Sequence, residues 1–439
     1  MKKDFFSKSL GTIILSSALL AGSFTSCSDD NSEPYVLQQT DITVNVPESG
    51  FKAVVDQLFR IEVNSVSDEG VTYTWTLDGE TLSNSKQLEY IFPYAGEYEL
   101  TLTATQGTYN FSYTFQVTVS FDESVTTPEG SQAYITKVLD FMPAVGQFTN
   151  TLPAYEEGDT QEIMNQKVLN AIGNGNNSMI SLGGWGGYVV VGFDHTIENK
   201  PELRDFRVLG NAFYAASNPN PDAPVGGSCE PGIIQVAYDK NKNGVPDEDE
   251  WYEIAGSAHH NPQGEAWYQM ALENGNDVNL YKDYQITYYR PAQEPTTPEE
   301  KEQYIRWKDN QGNEGYKVKN SFHNQPYFPQ WFEGNELTFK GTCLPQNGID
   351  ESGQGNYFVL YKFRYGYADN ENNTKDDSAI DIDWAVNSKG QKVNLPGVDF
   401  IKIYCGVNQE NGWLGECSTE VSGVEDLHVK GEEISTREE

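Results

Sequence analysis

Twelve consecutive residues, Asp239-Lys240-Asn241-Lys242-Asn243-Gly244-Val245-Pro246-Asp247-Glu248-Asp249-Glu250, hold a dense set of hard oxygen donors. Side-chain oxygens fall at the first, third, fifth, ninth and twelfth places, on Asp239, Asn241, Asn243, Asp247 and Glu250, with glycine sixth and the Val245 carbonyl seventh. This is the spacing of a calcium loop: the ion takes about six to eight oxygens, and one short loop wraps them only where glycine permits the sharp bend. The flanks Ile233 to Tyr238 and Trp251 to Ile254 read as strands, so a rigid structural Ca2+ site is expected rather than a helix-loop-helix sensor. An acidic hairpin turn rich in Asn and Gly would share only part of the pattern.

A second acidic group is Asp376, Asp377, Asp381 and Asp383. On a strand Asp381 and Asp383 would share one face, where paired carboxylates can hold a metal or serve as a glycosidase acid and base. Capping a loop or facing solvent is the commoner role of such a pair in an acidic chain. Histidine is sparse (His195, His259, His260, His323 and His428), and neither H-E-x-x-H nor G-x-S-x-G occurs. A binding protein is expected, not an enzyme. Cys229, Cys343, Cys405 and Cys417 permit disulfides in an oxidising exterior, and their spacing does not suit zinc.

Between Trp251 and Phe332 aromatic residues crowd among Asn, Gln and Gly. Rings flanked by amides suit a bulky ligand with an apolar face and a polar rim, such as a sugar or a tetrapyrrole. Strand positions in this stretch must supply core. The ligand contacts expected from the remainder are His259, Trp267, Tyr268, Trp307, Tyr327 and Trp331.

The elements that must position these groups are mostly strands. From about Thr40 to Ser120, alternating runs (Phe59 to Val63, Val71 to Leu77, Glu97 to Thr103, Phe111 to Val119) are separated by turn signals such as Asp78-Gly79 and Ala95-Gly96. Further strands are expected at Tyr188 to Phe193, Phe206 to Leu209, Ile233 to Tyr238, Tyr284 to Tyr289, Tyr357 to Tyr365 and Phe400 to Tyr404, with one amphipathic helix from Thr160 to Ala171. The fold class is therefore mainly β: an immunoglobulin-like sandwich followed by a larger jelly-roll-like β-sandwich with few short helices.

The net charge of -36 disfavours nucleic acid and anionic lipid and keeps a crowded surface protein soluble. At the N-terminus Lys2, Lys3 and Lys8 precede a short apolar run, Leu10 to Ala21, and small residues lead to Cys27. The run is too short to span a bilayer, which needs about 20 residues, and reads as a signal segment ending in a lipidated cysteine. The expected division is 1–27 signal peptide, 28–38 acidic tether, 39–121 first domain, 122–132 linker, 133–430 ligand-binding domain and 431–439 charged tail.

Tyr73-Thr74-Trp75, Asp78-Gly79, Phe92 and Gly96-Glu97-Tyr98 resemble the Y-x-W...DG...F...G-x-Y pattern of PKD-type domains, which implies that Trp75 is the buried aromatic of the first sandwich. Downstream, Ser181-Leu182-Gly183-Gly184-Trp185-Gly186-Gly187-Tyr188, Asp205 to Phe213, Glu230-Pro231-Gly232-Ile233, Asp381-Ile382-Asp383-Trp384 and Gly415-Glu416-Cys417-Ser418-Thr419-Glu420 resemble a family of Bacteroidetes PKD-type cell-surface lipoproteins. Ser28-Asp29-Asp30 is similar to the acidic tag that sends such proteins to the outer face of the outer membrane. Some members resemble surface corrinoid (vitamin B12) binders that work beside TonB-dependent transporters. The resemblance implies capture of a corrinoid and hand-over to such a transporter, with a glycan-binding surface protein or adhesin as the alternative.

Overall fold

The computed structural model describes residues 35–122, 124–176, 178–215 and 222–437. The expected signal segment, Cys27 and most of the tether lie outside the described residues. Among the described residues no helix is long and apolar enough to cross a membrane.

The chain begins as a two-layer sandwich. One layer is a five-stranded sheet in the order Phe51–Val54, Tyr109–Ser120, Gly96–Gln106, Thr72–Leu77, Glu80–Ser83, parallel only at its first pair. The pairs Leu58–Ile61 with Leu88–Ile91 and Ile42–Val44 with Val63–Ser65 are separate two-stranded sheets. Alternation sends Tyr73 and Trp75 inward, and Trp75 is fully buried, its indole N–H donating to the Lys86 carbonyl at 3.3 Å. Phe92 closes the core edge-on to Phe59 and tilted against Tyr98. At the hairpin after Leu77, Asp78 (φ 49°) and Gly79 (φ 89°) both take positive φ, as a two-residue turn compatible with strand twist demands.

The second domain is organised on a six-stranded antiparallel sheet, in the order Lys137–Met142, Tyr188–Glu198, Gly397–Cys405, Gly232–Ala237, Trp251–Ile254, Ala385–Val386. Its central strands are covered on both faces. Val189, Val191, Ile234, Val236, Ile401 and Ile403 belong to one core, shared with Phe206 and Val424 of a small three-stranded sheet, whereas Ile233 and Tyr404 belong to another, built with Tyr284, Ile286 and Phe339 of a four-stranded sheet. These strands therefore read as nearly unbroken apolar runs. The helix Gln161–Ile172 is capped by Thr160, whose hydroxyl accepts from the Ile163 N–H, and it buries Met164, Val168 and Ile172.

Two expectations need correction, and the C-terminal segment adds a detail. Asp381 and Asp383 lie not on a strand but around the short turn Ile382–Trp384, where the Asp381 carboxylate accepts from the Asp383 N–H at 2.8 Å. All four described cysteines are buried free thiols, and the Cys405 thiol donates to the Cys417 carbonyl at 3.2 Å. The charged C-terminal segment is tied down: Ile434–Ser435 pairs with Leu203–Arg204, and Arg437 meets Asp377 at 2.7 Å.

Candidate functional site

One cavity of about 410 Å³ combines exposed aromatic rings with buried acids. Loops carrying Gln147 and Phe148, Phe322 and His323, and Asn411 to Leu414 surround it, and Glu230, Glu416, Ser418 and Glu420 line it from the sheet side. Phe322 is 70% exposed and Trp413 54% exposed, so both rings face solvent at the rim. Local turns hold them there. The Asn320 side-chain oxygen accepts from the N–H groups of Phe322 and His323, each at 2.9 Å, and Trp413 sits in the turn Gly412–Leu414, its indole N–H donating to the Asn356 carbonyl at 3.3 Å.

The wall is polar and ordered. Glu416 accepts from the Gln147 backbone N–H at 2.7 Å, and the Gln147 amide donates to the Leu414 carbonyl at 2.7 Å. Burial, with Glu410 nearby, pushes the Glu416 carboxyl up to about 8. Close by, buried Lys317 pairs with Glu410.

At the floor, Glu230, Asp369 and Glu420 bring one carboxylate oxygen each within 4.8 Å of one another. Glu230 accepts from the Ser228 hydroxyl at 3.0 Å and the Ser418 N–H at 3.1 Å. Asp369 accepts from the N–H groups of Asn211, Ala212 and Glu420 at 2.7, 2.8 and 3.0 Å. Glu420 accepts from the Ser418 hydroxyl at 2.9 Å. Burial pushes Glu230 up to about 8, aided by the Asp369 charge, and Asp369 up to about 7; burial and then Glu230 and Asp369 raise Glu420 well above its ordinary value.

None of the six ligand contacts expected from the sequence lines this cavity. Trp267 is fully buried with its indole N–H on the Lys362 carbonyl, Tyr327 is 2% exposed, and Trp331 stacks on Phe141 in the core. His259 is held between the Tyr367 hydroxyl and Glu253, at 3.0 and 2.9 Å. None of the four lies on a strand: they sit in loops and at short helices folded back over the sheets, where Trp267, Tyr327 and Trp331 are buried as core and His259 is tied into hydrogen bonds. Tyr268 packs partly buried against the second core, and Trp307 borders a separate cavity with Tyr281 and Asp309. The rim residues Phe322 and Trp413 and the acids Glu230, Asp369 and Glu420 were not singled out for chemistry. Their signal was available only as aromatic residues in turn contexts and as acids within Glu230-Pro231-Gly232 and Ser418-Thr419-Glu420.

The loop from Asp239 to Glu250 folds between two strands and is held by its own hydrogen bonds. Asp239 accepts from the N–H groups of Asn243 and Gly244 at 3.0 and 2.8 Å, and the amides of Asn241 and Asn243 both donate to Asp247. Glu250 reaches back to accept from the N–H groups of Lys240 and Asp247 at 3.0 and 2.9 Å, and Val245 stays exposed.

Residues 41–120 match the PKD domain family, and the first sandwich is a PKD domain. No curated protein matches the chain. Among solved structures, a quinonprotein alcohol dehydrogenase-like protein from Bacteroides thetaiotaomicron aligns at 13% identity over 23% of this chain, with a TM-score of 0.15, and this chain spans 22% of its length. A SusE-like protein aligns at 9% identity over 88% of this chain and 97% of its own, with a TM-score of 0.21. A Bacteroides ovatus protein of a mixed-linkage glucan utilization locus, solved with a heptasaccharide, aligns at 10% identity over 84% of this chain and 100% of its own, with a TM-score of 0.18.

Proposed function

We propose that this protein is an outer-surface lipoprotein, anchored through Cys27, that binds a glycan in the cavity between Trp413, Phe322 and the Glu230 floor. The observation that carries the reading is the pair of solvent-facing rings on a cavity whose walls are amides and carboxyls. A sugar ring offers an apolar face for stacking and a belt of hydroxyls for hydrogen bonds, and this combination meets both. Nothing in the arrangement calls for turnover. The PKD domain serves as spacer, a Ca2+ ion in the Asp239 loop stiffens the hairpin, and the captured ligand passes to an outer-membrane TonB-dependent transporter.

A corrinoid is the second reading, favoured by the breadth of an aromatic rim able to face a flat macrocycle. A cavity of about 410 Å³ encloses only part of so large a molecule, whereas small-ligand sites bury about 70–90% of the ligand surface. Isothermal titration with a panel of soluble oligosaccharides and with cyanocobalamin separates the two. Binding of an oligosaccharide that falls at least about tenfold in Trp413→Ala and Phe322→Ala supports the glycan, since aromatic contacts at binding hot spots contribute about 1–2 kcal/mol or more. Heat from cyanocobalamin alone replaces it with the corrinoid.

A further inference from the structure

We propose that the cavity beside Trp307 is a second sugar-binding site, separate from the one rimmed by Trp413. It measures about 370 Å³, which falls in the range of about 300–1,000 Å³ usual for small-ligand pockets. It lies where strands Tyr281–Tyr289 and Ile305–Asp309 of the four-stranded sheet meet the loops carrying Asp277, Gln346 and Asn408. Trp307 supplies a ring. It pairs with Gly315 of the edge strand Glu314–Lys317, and a Cβ on that glycine would come 3.0, 3.1 and 3.2 Å from three indole atoms. The missing side chain gives the indole room to reach over the edge strand, where it stays half-buried at the cavity wall. Tyr281, also half-buried on this lining, tilts against Tyr284 with ring centroids 5.9 Å apart. Such rings offer the apolar contact that one face of a sugar ring needs.

The polar groups around these rings are fixed and biased toward accepting. The side-chain amides of Asn279, Asn313 and Asn408 donate to Asp277, Asp309 and the Tyr284 hydroxyl at 2.8, 3.0 and 2.9 Å. Their anchors are held in turn: the Tyr281 hydroxyl donates to Asp277 at 2.9 Å, and the Tyr284 hydroxyl to Asp309 at 2.8 Å. Each amide is oriented by its bond, and among the described residues no protein group donates to the three amide oxygens. The Trp307 indole N–H, with no protein acceptor among the described residues, adds a donor. Hydroxyls, which both donate and accept, match that set. A cation does not, because Asp309 already accepts from the Tyr284 hydroxyl, the Asn313 amide and the N–H groups of Gln311 and Asn313, which fills the lone pairs of its carboxylate.

One strap joins this cavity to the first. Asn408 lines the Trp307 cavity, and Asn411, Trp413 and Leu414 line the other. Three residues of extended chain span at most about 11 Å, so Asn408 and Asn411 stand no farther apart than that. The strap is tied down beside both: the Gln346 amide donates to the Asn408 carbonyl at 2.8 Å, and the Gln409 amide to the Gly348 carbonyl at 2.7 Å. An oligosaccharide seated in one cavity is thereby held at high effective concentration near the other. This joint use rests on the glycan reading of the first cavity; the second site does not.

The test uses soluble neutral tetrasaccharides built from glucose, galactose, mannose or xylose, titrated calorimetrically into the full-length protein in detergent. The Trp413→Ala/Phe322→Ala variant removes the rings of the first cavity. On that background at least one tetrasaccharide is expected to bind, and adding Trp307→Ala is expected to weaken it at least tenfold. Trp307→Phe keeps an aromatic face and is expected to recover part of the loss. Gly315→Val fills the space beside the indole while leaving the polar groups in place, and is expected to weaken binding too. Should Trp307→Ala fail to fold, Asn313→Ala in the exposed hairpin turn gives the comparison. No binding up to millimolar tetrasaccharide on the Trp413→Ala/Phe322→Ala background, or binding unchanged by Trp307→Ala and Gly315→Val, overturns the proposal. Parent binding that vanishes in Trp413→Ala/Phe322→Ala overturns the second site and leaves the first standing. Binding that ignores those two substitutions but is lost in Trp307→Ala overturns the first and leaves the second.

Discussion

His195 shows how single side chains in this molecule store charge away from the cavity. Its Nδ1 lies 2.7 Å from Asp194 and its Nε2 2.8 Å from Asp426, with the imidazole fully buried. Burial opposes the charged ring, but the hydrogen bonds to Asp426 and Asp194 outweigh it and raise the histidine above its ordinary value. A base whose folded value is raised contributes stability that is complete below the unfolded value, about 6.5, and drains away as pH climbs through the folded one. His195→Gln is therefore expected to melt well below the parent protein at about pH 6, with the gap narrowing toward about pH 9. Thermal melts of both across that range check it, and a gap that stays constant with pH refutes the charged-histidine account. At this scale the sequence revealed residue type but not company. Nothing around His195 in the chain announces Asp426, and nothing around Glu230 announces Asp369 and Glu420, because each set is assembled from segments far apart in the chain.

Secondary structure was far more legible, for a local reason. Alternation with a turn signal is complete within ten residues, so Thr72–Leu77 and its Asp78-Gly79 hairpin, and Trp251–Ile254, stand close to where the sequence places them. The helix Gln161–Ile172 was legible from its apolar spacing, although its buried face uses Met164 and Ile172 while Ile163 points outward. What failed was the split between core and surface. An aromatic residue such as Trp267 or Tyr327 looks the same in a list whether a second sheet covers it or not, and the coverage of both faces of the six-stranded sheet is decided by long-range packing. Two substitutions measure these elements. Trp75→Ala empties the centre of the PKD sandwich and is expected to cost about 3–5 kcal/mol in urea unfolding of that domain. Thr160→Ala removes a helix cap and is expected to cost only about 0.5–2 kcal/mol; a loss as large as that of Trp75→Ala contradicts the reading of Thr160 as a cap alone.

At the scale of the whole molecule, the Asp239 loop lies against the PKD domain. Lys240, the second residue of the loop, meets Asp56 of that domain at 3.3 Å and Asp249 of its own loop at 2.8 Å. Lys389 reaches Asp78 at 2.6 Å, and Phe121, at the end of the PKD domain, sets its ring edge-on to Tyr238 at 5.2 Å, one residue before Asp239. The two ion pairs are partly exposed and contribute at most about 1 kcal/mol each, so they hold the domains together only if their backbones are already rigid. The Ca2+ ion proposed for the loop would supply that rigidity. On that proposal, removing the ion would leave Asp239, Asp247 and Glu250 to repel one another and loosen the strand end that carries Tyr238 and Lys240. Chelation is therefore expected to speed proteolysis in the segment 122–132 several-fold while leaving each domain's own melting transition within a few degrees of its starting value. Asp239→Asn is expected to behave like chelated protein whether calcium is present or not, whereas Glu420→Gln, remote from the PKD contact, is expected to keep the parent's calcium-dependent protection. Equal cleavage rates with and without chelator would detach the loop from domain docking and leave its acids as a solvated turn.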